Sequence, residues 1–203
     1  MRDDEKGSRS AYGDRMLDAG ALRALAHPLR VEMYDILSQY GPQTASTLAT
    51  MTGESSGATS YHLRALAKHD LIREVEGRGS ARERWWERPR GPVSFTNPEA
   101  MRTPSGKAAT QVVMREFLNR RHDQLIRYVS EQLVTPESLD DSEALISTTT
   151  LALTPEQVEE LTDALQEVIT TFVERYRDQE TEGTRRFSVR TDVFPLPLEG
   201  GAS

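Results

Sequence analysis

The chain has 203 residues, which is enough for one large core or two small ones. It has no cysteine, so disulfide bonds and thiolate metal sites are excluded. No apolar run is long enough to span a bilayer, and the first 14 residues lack the apolar segment of a signal peptide. The composition therefore predicts a soluble, cytoplasmic protein that makes no contact with a membrane.

The net charge of −7 is distributed unevenly along the chain. The first 90 residues are nearly balanced, while the remainder carries the whole of the net negative charge. Within Tyr61–Arg90, eight basic residues outnumber five acidic ones. A DNA-binding protein needs a basic face rather than a basic chain, because salt screens the attraction to phosphate beyond about 10 Å. The charge pattern is therefore compatible with a nucleic-acid partner for the first half.

The first half of the sequence predicts four helices followed by a hairpin. Residues 1–14 are polar and are expected to be a disordered arm. Capping threonines, prolines and glycines mark the ends of the helices. The first predicted helix contains Leu17, Leu22 and Leu25, and the next three are Pro28–Tyr40, Ala45–Met51 and about Ser56–His69. Two strands follow, Leu71–Glu76 and Glu83–Glu87, joined by a glycine-containing turn. This order predicts a winged helix-turn-helix over residues 15–90.

The second half predicts a separate module. Residues 91–104 are rich in proline and are expected to be a linker. A long helix is predicted at Ser105–Leu133, and a strand–helix–strand module follows, with its segments at Leu145–Leu153, Pro155 to about Asp178, and Phe187–Val193. The predicted fold class is mainly α with small β (α+β), as a dimer, with a C-terminal domain at residues 105–198 and a tail at residues 199–203.

The fourth helix has the layout of a recognition helix. Thr59, Leu63 and Leu66 share one face, which predicts the core side. The opposite face is small at its start and basic farther along, so its first turns could approach base edges while longer side chains reach phosphates. The predicted DNA-contacting residues on this helix are Ser56, Gly57, Ser60, Tyr61, His62, Arg64 and Lys68. An ordinary amphipathic helix with a solvated polar face would show the same pattern.

The hairpin favours the DNA interpretation. Arg78, Arg82 and Arg84 cluster at and beside its glycine-rich tip. Glycines allow close approach of a turn to another backbone, and arginines bind phosphates or enter a minor groove. A charged hairpin tip often serves solubility alone, so the helix face and the wing together carry more weight than either part.

Several strings of residues resemble the ArsR-type winged helix regulators of bacteria. They are Ala24–Arg30 (ALAHPLR) with the helix after it, Ser60–Leu66 (SYHLRAL) and Asp70–Ile72 (DLI). The resemblance covers roughly residues 18–88 and is closer to the larger members common in actinobacteria than to compact metal sensors. It implies a homodimer that binds a near-palindromic operator, usually to repress transcription.

The chain departs from the metal-sensing members of that family. No cysteine stands around Thr47–Met51, where a thiolate pair would lie. On the long helix, His122 and Asp123 are adjacent and therefore point in different directions. We expect neither a metal nor another cofactor.

Apolar stripes on the long helices exceed what one small domain must bury, which predicts a dimer interface. Its predicted residues are Leu17, Leu22, Val113, Phe117, Leu118, Leu125, Ile126 and Val129. The sequence contains no nucleophile–base pair and no phosphate-binding glycine loop, so an enzyme is not expected.

The sequence thus predicts a sequence-specific transcriptional regulator that binds double-stranded DNA as a homodimer and acts as a repressor. The alternative is a winged-helix module that docks an acidic protein partner and has little affinity for DNA. The second half leaves open an unidentified small organic effector.

Overall fold

The computed structural model describes residues 15–80, 83–91, 93–132, 144–176, 179 and 181–197. The predicted arm at residues 1–14, the tail at residues 199–203, Arg82 and Leu133 lie outside the described residues. The chain divides into two compact units, residues 1–142 and 143–203. The long helix belongs to the first unit, and not to the C-terminal domain predicted at residues 105–198.

The first unit contains the helices and strands of a winged helix-turn-helix, in the predicted order. In chain order they are β1 (Arg15–Met16), α1 (Ala19–Leu25), α2 (Pro28–Tyr40), β2 (Gln43–Thr44), α3 (Ala45–Thr52), α4 (Ser56–Ala67), β3 (Arg73–Ser80), β4 (Glu83–Glu87), β5 (Val93–Ser94), α5 (Pro98–Met101) and α6 (Pro104–Gln132). The predicted class, mainly α with small β, is confirmed.

Local sequence signals fix the helix boundaries. Pro28 occupies the first turn of α2, where its missing N–H costs nothing, and Gly41 ends that helix with φ of 75°. Thr44 and Thr47 form a reciprocal capping box at the start of α3. Gly53, with φ of 73°, adopts the left-handed conformation that ends α3 and turns the chain toward α4.

The wing is an antiparallel sheet with strand order β2-β4-β3. In β3, Arg73 pairs with Glu87 and Ser80 with Glu83, and the register shifts between Glu74 and Gly79. The strand predicted from the sequence ends at Glu76, four residues before the end of β3. The ladder continues past it because the register shift accommodates residues that do not fit a regular pairing.

The predicted linker is part of the fold. Its residues form β5 and α5, and β5 pairs in parallel with β1, with Arg15 opposite Val93 and Met16 opposite Ser94. Asn97 caps α5 and also donates a hydrogen bond from its side chain to the carbonyl of Leu17, at 3.1 Å. The proline content of this segment predicted a linker. Its contacts with residues about 80 positions away leave no local signal in the sequence, so they were not predicted.

One apolar core joins the helices of the first unit. Its fully buried side chains are Leu17, Leu22, Leu25, Val31, Met33, Leu48, Leu63, Leu66, Leu71, Ile72 and Val113. Full burial of such a side chain contributes about 1.5–3 kcal/mol. At its rim, the guanidinium of Arg120 on α6 lies 2.9 Å from Glu32 and 3.3 Å from Asp35 on α2. The long helix is thereby held along α2 by packing and by charge.

This core changes the predicted dimer interface. Leu17, Leu22 and Val113 are at most 1% exposed, so they fill the interior of their own chain and leave no surface for a partner. Phe117 is half-buried and stacks on Phe95 with ring centroids 4.6 Å apart. The predicted interface residues that remain exposed are Leu118, Leu125, Ile126 and Val129, all on α6.

The second unit contains one helix, α7 (Pro155–Tyr176), among its described residues. The backbone N–H of Thr154 donates to the Gln157 side chain at 3.0 Å, as the predicted capping box requires. The strands predicted at Leu145–Leu153 and Phe187–Val193 are wrong, because neither segment has strand structure. Apolar alternation is not enough to form a strand, since its backbone also needs a neighbouring strand to bond.

We expect Thr59→Val to destabilise the first unit by about 0.5–1.5 kcal/mol, since it removes a buried hydroxyl that donates to the Ala45 carbonyl at 2.8 Å. Urea denaturation of the full chain measures the loss. Thr50→Val is the matched control, because the Thr50 side chain is exposed. Equal stability of the two variants would contradict this assignment.

Candidate nucleic-acid interface

Helix α4 presents one polar face and buries the other. Thr59, Leu63 and Leu66 are completely buried, as predicted for the core side. On the opposite side, Tyr61 is 64% exposed. The predicted contact residues Ser56, Gly57, Arg64 and Lys68 are also exposed, while Ser60 and His62 are half-buried. Burial of the apolar face therefore determines which side chains α4 offers to a ligand.

Three contacts hold α4 in place. The Ser55 hydroxyl accepts a hydrogen bond from the Ala58 N–H at 3.1 Å, which caps the start of the helix. The buried Thr59 hydroxyl donates to the Ala45 carbonyl of α3. Beyond the last turn, Arg15 donates to the carbonyls of His69, at 3.1 Å, and Asp70. The polar face is therefore carried on a helix that is fixed at both ends.

The wing holds one arginine over an aromatic ring. The Arg78 guanidinium lies 3.9 Å from the centre of the Trp85 ring, a distance at which the cation is attracted to the ring face. Gly79, with φ of 102°, lies so close that a Cβ there would overlap the Glu83 carbonyl and Trp85. The close approach of β3 to β4 at this point therefore requires glycine.

The other wing arginines are placed differently. Arg84 lies 3.6 Å from the Glu74 carboxylate, so part of its charge is balanced within the sheet. Arg82 lies outside the described residues. Of the predicted wing arginines that the structure describes, Arg84 lies near a carboxylate, whereas Arg78 lies against an aromatic ring.

Arg30, which is not among the residues predicted from the sequence, lies beside the predicted recognition face. It is in the first turn of α2, and it interacts electrostatically with Tyr61 and His62 of α4. Burial lowers the pKa of its guanidinium. An arginine at a helix N-terminus opposes the helix dipole, and this unfavourable position was the sequence signal for a second role.

Two histidines complete this junction. The rings of His27 and His62 lie 4.6 Å apart, and Tyr61 contacts the His62 ring at 5.2 Å. Among the described residues, the Nδ1 atoms of both histidines and the Nε atom of Arg30 are buried without a hydrogen-bond partner. An unpaired buried polar group costs free energy, so this junction is less favourable than a fully hydrogen-bonded one.

Burial lowers the pKa of His62, and the charges of His27 and Arg30 lower it further. Glu54 acts in the opposite direction, but the net effect is a lowered pKa. His62 is therefore neutral at pH 7, and one ring nitrogen can accept a hydrogen bond while the other donates.

Within the described parts of the chain, no group of three or more histidine, aspartate or glutamate side chains is arranged to hold a metal ion. His122 and Asp123 are both exposed on α6. None of the helices within those parts combines the length and hydropathy needed to cross a membrane.

Residues 25–75 match a protein-family model described as a helix-turn-helix domain, so this part of the chain is such a domain. The match covers about a quarter of the chain and includes α3 and α4. A solved structure of a "Possible transcriptional regulator for arsenical resistance" is 25% identical, with a TM-score of 0.31, over 53% of this chain and 94% of that chain. None of the curated proteins compared with the chain matches it.

The lowered pKa of His62 predicts a pH-dependent stability. As the pH falls below about 6.5, the unfolded chain takes up a proton at this residue that the folded chain resists, so the free energy of unfolding decreases. In His62→Gln this part of the decrease is absent. Urea denaturation between pH 8 and pH 5 measures it, and His122→Gln on the exposed surface should retain the wild-type slope.

Proposed function

We propose that the protein is a sequence-specific DNA-binding transcriptional regulator that acts as a homodimer on a near-palindromic operator and represses transcription. The observation that carries this proposal is the fixed, exposed face of α4, which ends in Arg64 and Lys68. In a helix-turn-helix domain the second helix enters the major groove. The match over residues 25–75 supports the assignment of α4 to that role.

The side chains of α4 divide by the reach of their polar atoms. Ser56 and Gly57 leave the start of the helix unobstructed, so its backbone N–H groups bind a phosphate oxygen. Tyr61 is long and well exposed and reads a base edge or packs on a sugar. Arg64 and Lys68 lie one and two turns farther along and bind the phosphates that flank the groove.

The Arg30–His62 junction supplies further contacts at the same face. Arg30 and His62 are both half-buried and lie where α2 begins and α4 passes. Arg30 and the exposed ring atoms of His62 bind phosphate beside the groove. The stacked guanidinium of Arg78 gives the wing a cation for the neighbouring minor groove, where arginine is attracted by the strong negative potential.

A homodimer accounts for the exposed apolar side chains of α6. Leu118, Leu125, Ile126 and Val129 lie on α6, and each is at least 37% exposed. Binding to adjacent half-sites of an operator would require the two α4 helices of the dimer to lie about 34–36 Å apart, one turn of DNA. The operator would then be two-fold symmetric, as the resemblance to ArsR-type regulators also implies.

Selection of bound genomic fragments by the purified protein should yield a two-fold-symmetric motif. The affinity for DNA that contains this motif is then measured at several salt concentrations. We expect Arg64→Ala to reduce the slope of log affinity against log salt concentration by about 0.9, since one phosphate contact is lost. Arg115→Ala, an exposed arginine of α6, is the control and should retain the slope. An unchanged slope in Arg64→Ala would remove that residue from the interface. The absence of any motif, with weak binding throughout, would favour docking of an acidic protein.

We expect Ile126→Gln to raise the dissociation constant of the homodimer by at least about tenfold, because a half-exposed apolar side chain is lost from the interface. Arg127→Gln is the control on the same turn of α6, and sedimentation equilibrium of both variants measures the change. Unchanged association in Ile126→Gln would move the interface away from this face.

A further inference from the structure

A cluster of titratable side chains lies at the edge of the candidate interface, where α4 passes the start of α2. The ring of His62 on α4 lies 4.6 Å from that of His27 and 5.2 Å from that of Tyr61. Arg30 is in the first turn of α2, and its charge acts on His62. Tyr61 and Arg64 of the same helix are exposed, so any change in the charge of His62 takes place beside side chains that are offered to DNA.

The proton balance of His62 is set by burial and by groups from two neighbouring segments. Burial is the main cause that lowers its pKa, and the positive charges of His27, just before α2, and Arg30 lower it further. Glu54, in the turn between α3 and α4, acts in the opposite direction but does not outweigh them. In the free protein at pH 7 the His62 ring is therefore neutral, and a positive charge on it is opposed.

A DNA phosphate at this junction reverses the balance. The proposed function places a phosphate beside Arg30 and His62, and its negative charge offsets the repulsion between these two side chains. A protonated imidazole also donates from both ring nitrogens, and its hydrogen bonds to a phosphate are stronger than those of the neutral ring. The protonated form of His62 therefore binds DNA more tightly than the neutral form. Because coupling between two binding events is reciprocal, the DNA-bound protein also holds this proton more tightly.

We propose that DNA binding is coupled to the uptake of one proton by His62 in each subunit, so that the affinity for operator DNA rises as the pH falls from 8 to 6. This inference rests on the proposed function and adds a dependence on pH to it. Its sign is opposite to that of the stability of the free protein, which decreases toward acid pH for the same residue. A general effect of acid on folding would weaken DNA binding instead.

The affinity of the full-length protein for DNA that contains the selected motif is measured between pH 8 and pH 6 at constant salt concentration, with circular dichroism to monitor the fold at each pH. We expect the wild-type affinity to rise by roughly three- to tenfold, because a one-unit rise in the pKa of a group on binding allows a gain of at most about tenfold per group. In His62→Gln this rise should be absent. His122→Gln is the matched control, since it removes an exposed histidine of α6 and should retain the wild-type rise.

His27→Gln tests the coupling within the cluster. It removes a positive charge that opposes protonation of His62, so the rise in affinity should begin at a higher pH than in the wild type. Calorimetry at pH 6 in two buffers with different heats of ionisation counts the protons taken up on binding, and we expect uptake in the wild type but none in His62→Gln.

The outcomes separate this proposal from the proposed function. Specific binding with equal affinity at pH 8 and pH 6 would overturn the proton coupling and leave the proposed function standing. A rise that persists in His62→Gln and disappears in His27→Gln would place the proton on His27 and overturn the assignment. Absence of specific DNA binding at every pH would overturn the proposed function, and the proton coupling with it.

Discussion

The buried hydrogen bond from Thr59 to the Ala45 carbonyl is the constraint on which the candidate interface depends. It joins the two helices of the helix-turn-helix, since Thr59 is in α4 and Ala45 begins α3. Hydrophobic packing of Leu63 and Leu66 holds α4 against the core but leaves it free to rotate or slide by small amounts. A directional bond to a fixed carbonyl removes that freedom. The exposed face of α4 is consequently presented in one orientation.

Electrostatics and burial act together at this face. The basic residues of the first unit lie on a surface that apolar packing has already oriented, while the acidic excess belongs to the rest of the chain. At the junction of α2 and α4, burial disfavours the charged form of both Arg30 and His62. The packing that stabilises the domain therefore also lowers the pKa of both groups at this junction.

Much of the first unit was predictable because its signals are local. Pro28 and Gly41 bound α2 at the predicted residues, and the spacing of Thr59, Leu63 and Leu66 predicted the buried face of α4. The missed features depend on residues far apart in sequence. The contact of Arg30 with α4, the register shift in β3, and the pairing of β1 with β5 are examples. The burial of Leu17 and Val113 was missed for the same reason, since periodicity cannot tell a core face from a dimer face.

In the second unit, the apolar patterns of the sequence do not correspond to a core among the described residues. Alternation at Phe187–Val193 and the stripe of α7 are both signals of burial, yet the described residues of this unit include no buried side chain. Among the described residues, this unit therefore meets neither signal by burial within itself. Apolar side chains that stay exposed lower solubility and contribute nothing to stability. Periodicity and alternation predict which residues favour burial, but they do not identify the surface that covers those residues.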